Sequence, residues 1–388
     1  MARSTITNQT DQENQANEGT IRSQDQMDRI ANELFPQETV KPADRIPMNI
    51  IEKHESIRVN LQELKAAEHV LRRKKYTGPD GIRFSTFYRC LSLEPELIRD
   101  IVRLSYSTGH IPDHCKQTQG NLIPKKAPGK FRVVHVATAL AAYLELIALN
   151  RLEHALEINN LKDQQQFGFC RHKGRHDLIA HLIAKIAEHR VGVRHQYGDK
   201  ATARQNLSTI ISLDVKGAFD NVSQVYMIKK MYQELPNNPI RHWVRAFILN
   251  RSIKLKYRGL VSRELGIYKG VPQGSALGPI LWNYAISDLS KELDKHRDQN
   301  TSIVAYADDI TLLSNGANNH NSTQGLLDQI NRYMQLRGLE ISPEKCELLH
   351  VVGPGRRPKD EDLPRYMIAG HEIVSREFIK ILGVPVYK

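Results

Sequence analysis

The segment AYADDITLL, Ala305 to Leu313, sets two adjacent carboxylates between two apolar runs. Ile303, Val304 and Ala305 precede Asp308 and Asp309, and Ile310, Leu312 and Leu313 follow them. Each run has the composition of a short strand. Neighbouring carboxylates repel, and taking them out of water costs several kcal/mol unless a cation compensates. A chain carrying this segment must either leave the pair on a solvated turn or build a cation site around it. A third aspartate, Asp214, ends another strand-like run, STIISLDV, Ser208 to Val215. Aspartates at a strand end and at a hairpin tip supply the hard oxygen donors that Mg²⁺ prefers. Two such ions roughly 3.5–4 Å apart can stabilise both oxygens of a phosphoryl displacement. On these residues alone, the solvated turn and the metal site both stay open.

Composition narrows the class of partner. Lys and Arg outnumber Asp and Glu, 55 against 43, for a net charge of +12 over 388 residues. That charge fits a basic soluble surface or a polyanion partner. The four cysteines, Cys90, Cys115, Cys170 and Cys346, are scattered and form no CxxC pair. They suggest neither a zinc knuckle nor a disulfide framework, and they fit a reducing, intracellular setting. Cys346 and His350, four apart, read as packing. The polar N-terminus has no apolar core or cleavage-like site, so no signal peptide is expected. The most apolar stretch, Val133 to Asn150, carries His135, Thr138 and Glu145, so its later part reads as a buried helix and no membrane span is expected.

Along the chain, residues 1 to about 24 read as disordered, and a short helix is expected over Asp25 to Leu34. The whole of 1–46 is taken as disordered or weakly structured, 47–106 as an N-terminal extension, and 107–388 as the main body. Helices are expected from about Pro47 to Leu71, over Tyr143–Ile158, Asp177–His189, Ser275–Leu293 and Leu326–Gly338. Arg190 to Asn206 reads as a surface loop, and GPGRRP, Gly353 to Pro358, as a basic turn. IKLKYRG with LGIYKG suggests a hairpin, and KCELLHVV and FIKILGVPV read as strands. Strands and helices are interleaved without regular crossovers, which favours an α+β fold with an antiparallel sheet.

The aspartates belong to a larger pattern. DVKGAFDNV (Asp214 to Val222) resembles the first palm motif of reverse transcriptases, GVPQGS (Gly270 to Ser275) the second, and YADD (Tyr306 to Asp309) the third. YTGPDGI, NLIPKKAPGKFRVV, NRL and QFGF resemble the upstream fingers blocks. GLEISPEKCE is similar to the fourth palm motif, and IKILGVPV to the primer-grip hairpin. The blocks occur in the family's order and look most like those of non-LTR, LINE-type retrotransposons. MDRIANELFP is similar to sequence between the endonuclease and polymerase parts of such polyproteins. Nothing resembles an endonuclease or RNase H, and the chain ends shortly after the primer-grip motif. The resemblance therefore implies a right-hand polymerase fold: an antiparallel palm, helical fingers largely before Ser208, and a thumb largely absent.

The resemblance also implies roles. Asp214 and Asp308 would ligate two Mg²⁺ ions, or Mn²⁺, with Asp309 as a less direct third carboxylate and the Val215 carbonyl completing a shell. Phe219, beside Ala218, would stack under the incoming sugar and exclude a 2′-hydroxyl by steric clash. RNA-dependent RNA polymerases usually have a small or polar residue there. Gln273 and Gly274 would line the nucleotide pocket. Lys125 and Arg132, flanking an Ala-Pro-Gly-Lys turn, are candidates for gripping the triphosphate, with Lys126 and Lys130 as competing lysines. Lys345 matches a lysine that protonates the pyrophosphate leaving group. Tyr306, Leu382 and Gly383 would contact primer or template. The implied partners are an RNA template, a DNA primer and dNTPs, without a membrane, with action in the nucleus; the sequence leaves the oligomeric state open. An alternative is an inactive, truncated relic that only binds nucleic acid. Val133, Val134 and His135 replace a common Pro-Ile-Ser, a lysine is missing near Ala142, and GRHD replaces Gly-Arg-Ser-Thr. His172 and His176 read as phosphate-facing or solvated.

Overall fold

Alternation in RSIKLKY turns Ile253, Leu255 and Tyr257 to one side and Lys254 and Lys256 to the other, and the segment is a strand with that burial pattern. The computed structural model describes residues 21–38, 41–46, 56–125, 127–198, 201–202, 204–295, 298, 300–316, 320–353 and 359–388. In chain order its strands are β1 (Gln117–Pro124), β2 (Phe131–Val136), β3 (Leu207–Leu213), β4 (Arg251–Tyr257), β5 (Leu260–Val261), β6 (Leu265–Ile267), β7 (Thr301–Tyr306), β8 (Asp309–Asn315) and β9 (Glu347–Val352). They are followed by β10 (Met367–Ile368), β11 (His371–Glu372), β12 (Val374–Ser375), β13 (Phe378–Ile381) and β14 (Val384–Tyr387). The chain divides into two compact units, Met1–Ala155 with Ile228–Gly278, and Leu156–Met227 with Pro279–Lys388. The α+β class expected from the interleaved pattern is the one observed.

In the first unit the strand order is β2-β1-β4-β5, with β6 also pairing with β4. β1 and β2 form an antiparallel hairpin in the register Leu122↔Val133, while β1 runs parallel to β4. One face gathers Leu122, Phe131, Val133, Ile253, Leu255 and Leu265 into a core cluster. The helix Gln24–Leu34 closes that cluster with Met27 and Ala31, both fully buried and one turn apart. The short helix expected over Asp25 to Leu34 is thus present and forms part of the core; its capping residue, Ser23, accepts from the Gln26 N–H. Residues 1–20, read as disordered, lie outside the described residues.

Helices make up the rest of this unit. The helix read from about Pro47 begins at Leu61, because Asn60 and Glu63 form a reciprocal capping box there; 56–60 are not helical, and 47–55 lie outside the described residues. Tyr106, from the helix Pro95–Thr108, stacks on Trp243 at 4.9 Å, and its hydroxyl donates to the Leu144 carbonyl at 2.7 Å. The helix Ala139–Ile158 carries buried Tyr143, whose hydroxyl donates to Glu68 at 2.7 Å. Arg99 pairs with the same carboxylate at 2.9 Å. Burial raises the Glu68 carboxyl, but Arg99 and Tyr143 outweigh it and hold the group below its usual range.

The second unit is built on a sheet of order β12-β9-β3-β8-β7. β3 lies between β8 and β9, antiparallel to both, and β7 and β8 form a hairpin. Only the β12–β9 pair of this sheet is parallel. Ile210, Val304, Leu313 and Leu349, one from each of four strands, share a cluster with Leu178 and Leu182 of the helix Arg175–Tyr197 and with Ile379 and Ile381 of the β13–β14 hairpin. The other pair expected to pack, Cys346 and His350, is buried, and Thr209 Oγ1 lies 2.9 Å from His350 Nδ1.

Two local readings change. The loop expected over Arg190 to Asn206 is helical as far as Tyr197. Val193 is buried on the turn series of Leu178 and Leu182, but it lies among polar residues that hide the period. The single helix expected over Ser275–Leu293 is two, Gly278–Ala285 and Leu289–Asp294. Arg337 takes the Ala285 carbonyl at 3.1 Å and the Asp288 carboxylate at 2.8 Å, ending the first helix by tertiary contacts. Most of the GPGRRP turn, residues 354–358, lies outside the described residues. Among the described residues no helix is long and apolar enough to cross a membrane.

His135 on β2 provides a test of the first unit. Burial first, then the charge of Arg251, lowers its imidazole to about 3. The folded chain keeps it neutral while the unfolded chain protonates it near pH 6.5. Its stabilising effect is complete above pH 6.5 and is lost as pH falls toward 3. Between pH 7 and pH 5 this group alone is expected to lower the unfolding free energy by about 2 kcal/mol. Urea unfolding of the wild type and of His135→Gln checks this: the variant should lose that part of the slope, and parallel slopes would contradict it.

Candidate active site

The turn between β7 and β8 is two residues long, Ala307 and Asp308. Ala307 has φ 58°, a left-handed conformation that alanine adopts at a cost of roughly 1–2 kcal/mol. Three neighbours hold it there. The Gln166 side-chain oxygen accepts from the Ala307 N–H at 2.9 Å and from the Gly168 N–H at 2.8 Å. The Gln166 amide nitrogen and the Trp282 indole N–H both donate to the Ala307 carbonyl, at 3.2 and 2.9 Å. Gly168 lies so close that a Cβ there would meet the Ala307 nitrogen at 2.1 Å. QFGF and GPILWN therefore support the turn. Their composition carries no such signal, because the contact joins residues 141 and 25 positions apart.

This turn sets the position of the acidic residues. Asp309 pairs with Tyr306 at the start of β8, and Leu213 pairs with Ile310. One step further along that register, Asp214 falls opposite Asp309, on the same side of the sheet. Restricted hydration of its carboxyl, followed by the charges of Asp308 and Asp214, pushes Asp309 up to about 6. Lys345 Nζ sits 2.9 Å from Asp214 Oδ2, an exposed ion pair. Past Asp214, the Lys216 N–H donates to the Glu340 carbonyl and the Ser342 N–H to the Asp214 carbonyl. That pattern turns the Val215 peptide groups to the opposite edge.

The side chains gathered here are of the chemical type that divalent ions take. They are three hard carboxylates, one of them raised by burial first and by the other two second, with the Val215 backbone carbonyl beside them. Among the described residues no group of three or more His, Cys, Asp or Glu side chains is arranged so that it could hold a metal ion by itself. Ions bound here would complete their coordination with water and substrate phosphates.

Other expected residues divide between the units. In the second, Phe219 follows Ala218 in a short helical turn behind Gly217 at φ 53°. Its ring stacks on Trp282 at 5.5 Å and meets Phe169 edge-on at 6.0 Å. Trp282 thus braces both the Ala307 turn and the Phe219 ring. Leu382 and Gly383, at φ 50° and 84°, form the two-residue tip of the β13–β14 hairpin. Leu382 and Tyr306 pack on the same hydrophobic cluster.

In the first unit, Ile123 pairs with Arg132, and the Lys125 N–H donates to the Lys130 carbonyl at 2.8 Å. Arg132 and Lys125 are exposed, while the neighbouring Phe131 and Val133 enter the core. Lys130 pairs with Glu33 at 3.5 Å, and Lys126 lies outside the described residues. The Gln273 carbonyl accepts from the His135 N–H at 2.7 Å. Gly274 has φ 100°, and a Cβ there would meet the His135 carbonyl at 2.9 Å, so the loop needs glycine at this point. His172, with φ 59°, precedes the Arg175–Tyr197 helix and His176 lies within it.

Carboxylates at the end of an antiparallel sheet, with an adjacent lysine and a buried aromatic, are the site type of a nucleotidyl-transferring polymerase. The family description Reverse transcriptase (RNA-dependent DNA polymerase) matches residues 123–386, well over half of the sequence, and the chain belongs to that family. It is similar to the Retrovirus-related Pol polyprotein from type-1 retrotransposable element R2 of Nasonia vitripennis, 25% identical over 78% of this chain and 28% of that protein. It is also similar to the RNA-directed DNA polymerase from mobile element jockey of Drosophila melanogaster, 26% identical over 84% of this chain and 35% of that protein. The LINE-type character read from the motifs agrees with these relatives. The chain spans about a third of the length of the relatives it matches. Among solved structures, apo telomerase from Candida Tropicalis aligns with a TM-score of 0.49 at 12% identity, over 82% of this chain and 55% of that one.

Replacing Gln166 by Ala removes three hydrogen bonds from the Ala307 turn and Gly168 and leaves buried backbone groups unpaired. The expected loss of stability is about 2–4 kcal/mol. Equilibrium denaturation checks it, and a loss below about 1 kcal/mol would show that the turn holds its conformation without Gln166.

Proposed function

We propose that the chain is an RNA-directed DNA polymerase that adds dNTPs to a primer 3′-hydroxyl on an RNA template, as part of retrotransposition in the nucleus. The observation that carries this reading is the convergence of Asp214, Asp308 and Asp309 at one sheet end, in a chain of the reverse transcriptase family. Two bound Mg²⁺ ions, or Mn²⁺, would supply Lewis-acid stabilisation of the attacking and leaving oxygens. Asp214 and Asp308 would hold them, with the Val215 carbonyl as an additional ligand and Asp309 in support.

The chain's own residues perform the remaining tasks. Phe219 and Ala218 shape the floor under the sugar of the incoming nucleotide, and the Phe219 ring is kept from swinging away by Trp282 and Phe169. Lys345, already paired with a site carboxylate, is within reach to deliver a proton to the pyrophosphate leaving group. Lys125 and Arg132 offer cationic groups on an exposed hairpin for the triphosphate, and Gln273 and Gly274 bring backbone close to the base or template. Tyr306, Leu382 and Gly383 contact the primer end. The +12 charge holds the RNA–DNA duplex through its phosphates.

Primer extension on poly(rA)/oligo(dT) with Mg²⁺ and dTTP tests the reading. Wild-type chain is expected to extend the primer, EDTA to abolish extension, and Asp308→Ala to lower it by roughly 10²–10³-fold or more. Incorporation no greater than that of Asp308→Ala, with duplex binding retained, would replace the polymerase by a nucleic-acid-binding protein. Phe219→Ala should raise the use of rNTPs relative to dNTPs. An unchanged ratio would remove Phe219 from sugar selection.

A further inference from the structure

The Gln273–Ala276 loop is anchored at two points within the first unit. The Gln273 carbonyl accepts from the His135 N–H at 2.7 Å, and the Ala276 N–H donates to Glu145 Oε2 at 2.9 Å. Glu145 projects from the helix Ala139–Ile158 and is only 2% exposed. Its other oxygen, Oε1, has no hydrogen-bond partner among the described residues. Both Glu145 and Arg251 line a cavity of about 10 Å³, together with Lys74, His135 and Gly274. Arg251 is 3% exposed, and its Nη1 donates to the Phe247 carbonyl. Its guanidinium lies over the Phe247 ring, 4.5 Å from the centroid, and its Nε and Nη2 have no hydrogen-bond partner among the described residues.

A buried carboxylate oxygen and two buried guanidinium nitrogens are expensive to leave unpaired. The cavity has about the volume of one water, and the three groups offer one acceptor and two donors. Such a water would join the two opposite charges and complete the hydrogen bonding of both. Burial lowers the Arg251 guanidinium, and the charge of Glu145 opposes that shift, so the pair is electrostatically coupled.

We infer that Glu145 is a positioning residue for the nucleotide-pocket loop: its carboxylate fixes the Ala276 amide on one side and is tied through a single buried water to Arg251 on the other. The helix Ala139–Ile158 and strand β4 then jointly set the height of Gln273 and Gly274, and the charge of the carboxylate matters as well as its shape. The inference rests on the polymerase reading for the loop's role in nucleotide binding; the clamp itself does not need it.

Hydrogen exchange and kinetics on the full chain separate the two. In Glu145→Ala, the Ala276 amide is expected to exchange roughly ten- to a hundred-fold faster, with β3 amides unchanged. Glu145→Gln keeps an acceptor for Ala276 and should exchange at a rate between that of Glu145→Ala and wild type. In primer extension, KM for dTTP is expected to rise by at least about ten-fold in Glu145→Ala with KM for poly(rA)/oligo(dT) unchanged, and Glu145→Gln should recover part of the loss. Unchanged Ala276 exchange in Glu145→Ala would overturn the clamp whatever the kinetics. Faster exchange with an unchanged KM for dTTP would overturn its role in positioning the nucleotide. Faster exchange throughout Glu145→Ala would mark unfolding, and Glu145→Gln then decides alone: wild-type exchange and KM in that variant would overturn the coupling to Arg251. A wild-type chain that incorporates no dTTP would refute the polymerase reading and the loop's role with it, while the exchange data would still judge the clamp.

Discussion

The acidic site is held by a turn that its own sequence does not favour. Ala307 stands at φ 58° because Gln166 takes its N–H, and Gln166 and Trp282 take its carbonyl. Without those bonds, a non-glycine residue would relax out of the left-handed region. The turn fixes the register of β7 against β8, and β8 against β3 brings Asp214 opposite Asp309. Burial of the Asp309 carboxyl, and then its repulsion by Asp308 and Asp214, is a cost the surrounding structure must meet, and the raised Asp309 carboxyl reflects both. Trp282 links the acidic turn to Phe219 through one indole: its N–H holds Ala307 while its face carries the Phe219 ring.

The first unit solves a related problem by other means. In the Gln273–Ala276 loop the Ser275 N–H bonds locally to the Pro272 carbonyl, while the Gln273 carbonyl and the Ala276 N–H are held from elsewhere, by the β2 backbone at His135 and by the Glu145 side chain. Gly274 lets the loop approach the His135 carbonyl more closely than any residue with a Cβ could. Arg251 is buried as well and lines the same small cavity as Glu145. Both units thus use buried polar side chains to shape loops, and both place those side chains far from the loops in sequence.

What the sequence made legible follows from range. AYADDITLL, STIISLDV and IKLKYRG are strands because their apolar patterns are local, and those patterns were sufficient. The order of the motif blocks identified the family, which the match over residues 123–386 supports. The helix through Arg190 to Tyr197 was hidden, because one buried valine among polar residues leaves no visible stripe. The break at Ile286–Asp288 was hidden because its cause, Arg337, lies some 50 residues downstream. For the site, the acidic residues and Phe219 could be named from the motifs. The support from Gln166 and Trp282 and the anchor at Glu145 could not, since each acts through a backbone contact that no side-chain pattern announces.

Binding of Mn²⁺, followed by loss of its free electron paramagnetic resonance signal, tests most directly whether Asp214, Asp308 and Asp309 act as one divalent-ion site. In the presence of poly(rA)/oligo(dT) terminated with a dideoxynucleotide and of the next dNTP, the wild-type chain is predicted to bind Mn²⁺ beyond what the nucleic acid and dNTP bind alone. Asp214→Asn and Asp308→Asn should each lose that excess while keeping their fold by circular dichroism. Equal Mn²⁺ binding by the wild type and both variants would contradict the account, because the ions would then be held somewhere other than the end of this sheet.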